Sequence, residues 1–118
     1  MNKNIHILHR NDLGIAFMWE KPQHIITEKI QVIFRDLGFY LTYDELNHFK
    51  KCVDDAFSTI NDYSFDCMND CRSMLLHTPV EQLDIAVSYE ELTDIADLIE
   101  GALFKVDLEV YLKKICKN

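Results

Sequence analysis

The chain has 118 residues, 48% of them apolar and 27% charged, which suits one folded domain, or at most two very small ones. Three Gly and two Pro exclude a linker, a collagen-like repeat or a low-complexity tract. Twelve Lys and Arg against 20 Asp and Glu leave a formal charge of −8, which argues against a general nucleic-acid or anionic-membrane binder, because both targets repel an acidic surface.

The opening residues, Met1-Asn-Lys-Asn-Ile-His, lack the apolar stretch of a signal peptide. No run approaches the ~20 apolar residues of a membrane span. The four cysteines, Cys52, Cys67, Cys71 and Cys116, are too sparse for a disulfide scaffold. The expectation is a cytoplasmic protein with reduced thiols and no membrane partner. Its charge is uneven. Residues 1–35 carry five basic and three acidic residues, and residues 36–118 carry seven and 17.

A leading hairpin is predicted over 4–19. Two apolar stretches, Ile5–Leu8 and Ile15–Trp19, flank Arg10-Asn-Asp-Leu-Gly, a turn suited to a glycine with positive φ. A ββα unit follows over 29–61. Ile30, Val32 and Phe34 alternate, Arg35-Asp-Leu-Gly turns the chain, and Phe39-Tyr-Leu returns. Thr42 then caps a helix, and Glu45 completes its capping box. Leu46, Phe49, Val53, Ala56, Phe57 and Ile60 form the apolar stripe of that helix, which ends near Asn61-Asp62.

A second ββα unit is predicted over 73–104. Its strands are Met74–Thr78 and Leu83–Val87, and Ser88 with Glu91 forms its capping box. Leu92, Ile95, Ile99, Ala102, Leu103 and Val106 form the second stripe. This helix is expected to fray after Gly101. A short C-terminal helix over 107–116 would follow, with Asp107 as its cap. Residues 37–46 and 83–92 match on a shift of 46 residues, which reads as an internal duplication. The expected fold is therefore α+β and two-layered: a mainly antiparallel sheet of about six strands with two helices on one face, in the order ββ-ββα-ββα.

Alternation sorts the strand residues onto two faces. Ile5, Ile7, Ile15, Phe17, Trp19, Ile30, Val32, Phe34, Phe39, Leu41, Leu83, Ile85 and Val87 are expected under the helices. The open face would then carry His6, Leu8, Ala16, Met18, Gln31, Ile33, Tyr40, His77, Asp84 and Ala86. That set is too apolar for a wet face, and large exposed apolar patches mark association sites.

The tandem strand–Thr/Ser–Tyr–acid–Glu–Leu arrangement, preceded by Asp-Leu-Gly-Phe in one copy and Leu75-Leu-His-Thr-Pro in the other, resembles a family of small bacterial proteins of unknown function. The resemblance covers residues 28–115 and implies a cytoplasmic single-domain protein.

Three constellations hold residue types suited to chemistry. His48 and Cys52 share a helix face at i and i+4, and Cys67 and Cys71 repeat that spacing. Together they make a His/Cys3 set that suits tetrahedral zinc, although unreactive buried thiols are the commoner meaning of such cysteines. A redox pair of Cys67 and Cys71 lacks the Cys-x2-Cys spacing of that chemistry. His6, His77 and Asp84, with Tyr40, would form an enzyme or ligand centre only if their strands are neighbours. Asp54-Asp55 and Glu90-Glu91 diverge by ~100° on a helix and are no acid–base pairs. Asp62, Asp66 and Asp70 do not follow calcium-loop spacing.

The leading expectation is a non-enzymatic cytoplasmic interaction module, with a protein partner or a second copy on Leu8, Met18, Ile33, Tyr40 and Ala86. A small zinc protein using His48, Cys52, Cys67 and Cys71 is the second reading. An immunity-type acidic binding protein is the third, since acidity suits a basic target.

Overall fold

A computed structural model describes residues 4–20, 29–60 and 71–116. Strands β1 (Ile5–Arg10), β2 (Gly14–Trp19), β3 (Ile30–Phe34) and β4 (Leu37–Leu41) lead into helix α1 (Tyr43–Ile60). Strands β5 (Met74–His77) and β6 (Asp84–Val87) lead into helix α2 (Tyr89–Cys116). The fold is α+β, as expected. The six strands do not join one sheet, however. β1-β2-β3-β4 form one antiparallel sheet in chain order, and β5-β6 form a second. Each hairpin pairs locally, as its turn dictates. Joining hairpins edge to edge is a non-local choice that periodicity does not encode. Here β5 packs against α1 instead.

Both helices begin where the capping boxes stand. The Glu45 amide donates to Thr42 Oγ1 at 3.1 Å, and the Thr42 amide donates to Glu45 Oε1 at 2.8 Å. The Glu91 amide donates to Ser88 Oγ and the Ser88 amide to Glu91 Oε1, both at 3.0 Å. Two orphan amides are satisfied at each helix start. The likeness of the two units is this local device. The duplicated order ββ-ββα-ββα is not seen as one repeated sheet.

The core lies between the sheets and the helices. Phe34, Phe49, Leu46, Leu76, Leu92, Ile95 and Ile99 are among its large, fully buried members. Each such side chain contributes about 1.5–3 kcal/mol through loss of apolar surface to water. Phe34, Phe39 and Phe49 meet ring to ring, with centroids 5.3–6.4 Å apart, and so fix α1 on β3 and β4.

Three expectations are corrected by this packing. The first concerns β1. A bulge falls between Ile7 and His9, so Leu8 has no cross-strand partner and turns into the core. The hairpin β1-β2 therefore faces the helices with His6, Leu8, Ala16 and Met18. Ile5, Ile7, Ile15, Phe17 and Trp19 take the open side. The second concerns α2, which is continuous from Tyr89 to Cys116 and does not break near Gly101 or Asp107. Gly101 is a notch: a Cβ there would lie 2.3 Å from His9 Cγ. Asp107 accepts a 2.7 Å hydrogen bond from the Tyr43 hydroxyl instead of capping a new helix.

The third concerns the turns. No glycine has positive φ, and the β3-β4 turn is the pair Arg35-Asp36 with Arg35 at φ 55°. A non-glycine residue there carries strain of order 1 kcal/mol. Its side chain holds it in place, with Nη1 donating to the Ala86 carbonyl at 2.9 Å and Nε 3.8 Å from Glu91 Oε2. Arg35 thereby ties the four-stranded sheet to β6.

Candidate protein-interaction surface

The register of the four strands defines the face turned away from the helices. Ile5 pairs with Trp19 and Ile7 with Phe17. Phe17 pairs with Gln31, Ile15 with Ile33, and Gln31 with Tyr40. Ile5, Ile7, Ile33 and Tyr40 remain 40%, 41%, 37% and 46% exposed. Phe17, in the middle, is buried among its neighbours, with the Trp19 ring edge-on at 5.1 Å. Gly38 leaves a flat spot, since a Cβ there would meet only Gln31 and Ile33 at 3.8 and 3.9 Å. By ordinary strand spacing the face measures roughly 15 × 17 Å, the footprint of a helix or a small sheet.

The electrostatics of this face differ from those of the whole chain. Its charged positions are Arg10, opposite Ile15, and Lys29, whose Nζ sits 5.2 Å from the centre of the Tyr40 ring. Both are cations on a molecule whose formal charge is −8. The acids gather on the helical side. There Asp97 meets His9 Nε2 at 2.9 Å and accepts from Asn11 Nδ2 at 3.0 Å, and those two hydrogen bonds hold its carboxyl below the usual range. Asn11 Nδ2 also donates to the Asp94 carbonyl, and Asn11 Oδ1 accepts from the Leu13 and Gly14 amides. The β1-β2 turn is thus pinned to α2, and the hairpin's free side is fixed.

The residues expected at an interface are divided by the structure. Ile33 and Tyr40 stand exposed on the open face. Leu8 does not: it is 6% exposed, inside the core, because of the bulge. Met18 packs against the core from the helix side. Ala86 is exposed but belongs to the β5-β6 sheet. Ile5, Ile7, Ile15 and Trp19 were missed, although their alternation was read correctly. Both sides of this hairpin are apolar enough to be buried, so the pattern gave a period and not a side.

The other constellations are placed as follows. His48 Nε2 and Cys52 Sγ lie 3.9 Å apart on α1, and burial pushes the Cys52 thiol up. Cys71 is exposed, and Cys67 lies outside the described residues. Among the described residues no group of three or more His, Cys, Asp or Glu is arranged to hold a metal ion. His77 Nδ1 and Asp84 Oδ1 pair across β5-β6 at 2.8 Å on an exposed surface. His6 is not with them. It pairs with Glu109 of α2, on the other sheet's inner face. No described helix is long and apolar enough to cross a membrane.

A family model matches residues 1–115: that of a family of unknown function, DUF6686. The match extends the resemblance read from residues 28–115 to the leading hairpin. Neither the curated proteins nor the solved structures contain a match.

Proposed function

Because the chain belongs to DUF6686, a family of unknown function, we propose its role from geometry alone: a non-enzymatic, cytoplasmic protein-interaction module that docks a partner on the open face of its four-stranded sheet. The observation that carries this reading is the exposed group of Ile5, Ile7, Ile33 and Tyr40 around Phe17 and Trp19. A contiguous apolar face of this kind marks association more often than exposed single residues do. The occupant is an apolar segment of another protein, flanked by carboxylates. Arg10 and Lys29 at the ends of the face favour that charge. A second copy laid face to face would set cations against cations.

Trp19 is the chain's only tryptophan, which makes its fluorescence a reporter of this face. Two synthetic amphipathic helices with the same leucine face, one flanked by Glu and one by Lys, are the probes. The Glu-flanked peptide is expected to bind and blue-shift Trp19 emission, and Ile33→Asp is expected to abolish the shift. No response to either peptide, or a response that survives Ile33→Asp, contradicts the reading.

A further inference from the structure

The last part of α2 carries a second apolar surface, separate from the sheet and independent of the reading above. The helix is held to the body by its inner stripe as far as Val106, then by Asp107 on Tyr43 and Glu109 on His6. Among the described residues no side-chain hydrogen bond or ion pair links anything after Glu109 to the rest of the chain. Yet the helix continues to Cys116. Phe104, Leu108, Tyr111 and Ile115 lie on its outer side, 68%, 37%, 59% and 54% exposed. Val110 and Leu112 are exposed too. A helix that is apolar on its outer stripe and around its free end is not a stable solvated element.

The spacing of the outer stripe is informative. Steps of four, three and four residues from Phe104 to Ile115 are the a/d steps of a helix-pairing seam. The charges that flank it on one side are ordered along the axis: Asp107 comes first and Lys114 last. At ~100° per residue Glu109 and Lys113 fall on the far side of the helix, where Glu109 meets His6. A parallel copy would set like against like. An antiparallel copy, centred near Val110, sets Lys114 of one chain beside Asp107 of the other. It also opposes the helix dipoles. The two bodies then lie at opposite ends of the pair and do not collide.

We infer that the α2 end pairs antiparallel with the same segment of a second copy, making a two-fold dimer. The exposed parts of the four stripe side chains, with Leu112 beside them, come to on the order of 500 Å² per copy, taking about 150–250 Å² for a whole aromatic side chain and less for an aliphatic one. Standard interfaces bury ~800 Å² per partner, so this dimer is a weak one.

Sedimentation equilibrium of the full chain, from low micromolar to several hundred micromolar, tests this. The mass is expected to rise from the 13.9 kDa monomer towards twice that value. Tyr111→Asp with Ile115→Asp is expected to hold it at the monomer while circular dichroism stays that of a folded chain. Lys114→Glu is expected to weaken association several-fold at low salt. Lys51→Glu, the same charge change on α1, is expected to leave it unchanged. A wild-type monomer throughout, or a dimer that survives Tyr111→Asp with Ile115→Asp, overturns the inference. Equal weakening by the two lysine changes overturns the antiparallel arrangement. Ile33→Asp is expected to leave the mass unaltered, so failure here and failure of the sheet-face reading are told apart.

Discussion

Gly101 shows how one residue's meaning depends on what lies against it. In an exposed helix interior, Gly→Ala gains about 0.5–1 kcal/mol of stability. Here the added methyl would meet the His9 ring at 2.3–2.6 Å. The contact falls on the base of the ring, so His9 cannot yield by bending only its tip. It must leave Asp97 and carry the β1-β2 turn with it. Overpacking of that kind costs about 1–3 kcal/mol. Gly101→Ala is therefore expected to lower the urea midpoint, by a net ~1 kcal/mol. In a His9→Ala background the same change is expected to raise it. A stabilised Gly101→Ala in the wild-type chain would show that His9 does not occupy the notch. From sequence, the glycine read as the start of fraying. Its role needed the knowledge that β1 crosses α2 at that point.

At the scale of elements, the start of α2 is where three parts of the chain meet. Glu91 accepts from the Ser88 amide, takes two-pronged donation from Arg72 at 2.8–3.1 Å, and lies 3.8 Å from Arg35. The Arg72 guanidinium first, then the Ser88 amide and the Arg35 charge, hold the Glu91 carboxyl below its ordinary value near 4.5, against the opposing effect of partial burial. An acid whose pKa is lower folded than unfolded binds protons more weakly in the native state. Its stabilising effect is complete above about 4.5 and is lost as the pH falls through the lower folded value. Asp97, lowered by Asn11 and His9, acts in the same direction. The urea midpoint is expected to fall between about pH 5 and pH 3, and Glu91→Gln is expected to reduce that slope. An unchanged slope in Glu91→Gln would remove Glu91 from this role.

The capping boxes were legible because each is written within four residues. So was the inward side of β3 and β4, where Ile30, Val32, Phe34, Phe39 and Leu41 are buried as read. The side of the leading hairpin was not legible. Its outward face, with three Ile, a Phe and a Trp, is the more apolar of the two, and the choice is made by His6 on Glu109, His9 over Gly101 and the bulge at Leu8. Those are contacts across about ninety to a hundred positions of chain. Arg35 was read as part of a turn ending in glycine, because a non-glycine residue at positive φ is uncommon and has no sequence signature of its own. The two exposed members of the expected interface that survive, Ile33 and Tyr40, lie on strands whose sides were read correctly.

Taken whole, the molecule is a body that ends at Glu109 and a helical extension that carries apolar surface beyond it. The body should fold without the extension, because the described contacts that hold α2 down stop at Glu109. The full chain should gain stability with concentration, since a dimer that forms only from folded chains shifts the equilibrium by mass action. At ten times the dissociation constant that gain is about 1.4 kcal/mol. A chain ending at Glu109 is expected to match the full chain to within about 1 kcal/mol at low micromolar concentration, where both are monomers, because the described side chains it loses, Val110 to Ile115, are exposed. Its melting temperature should then stay fixed as concentration rises, while that of the full chain climbs. If the shortened chain is unfolded, residues 110–116 belong to the core in solution. If both chains melt independently of concentration, the extension stays unpaired and its apolar stripe needs a different occupant.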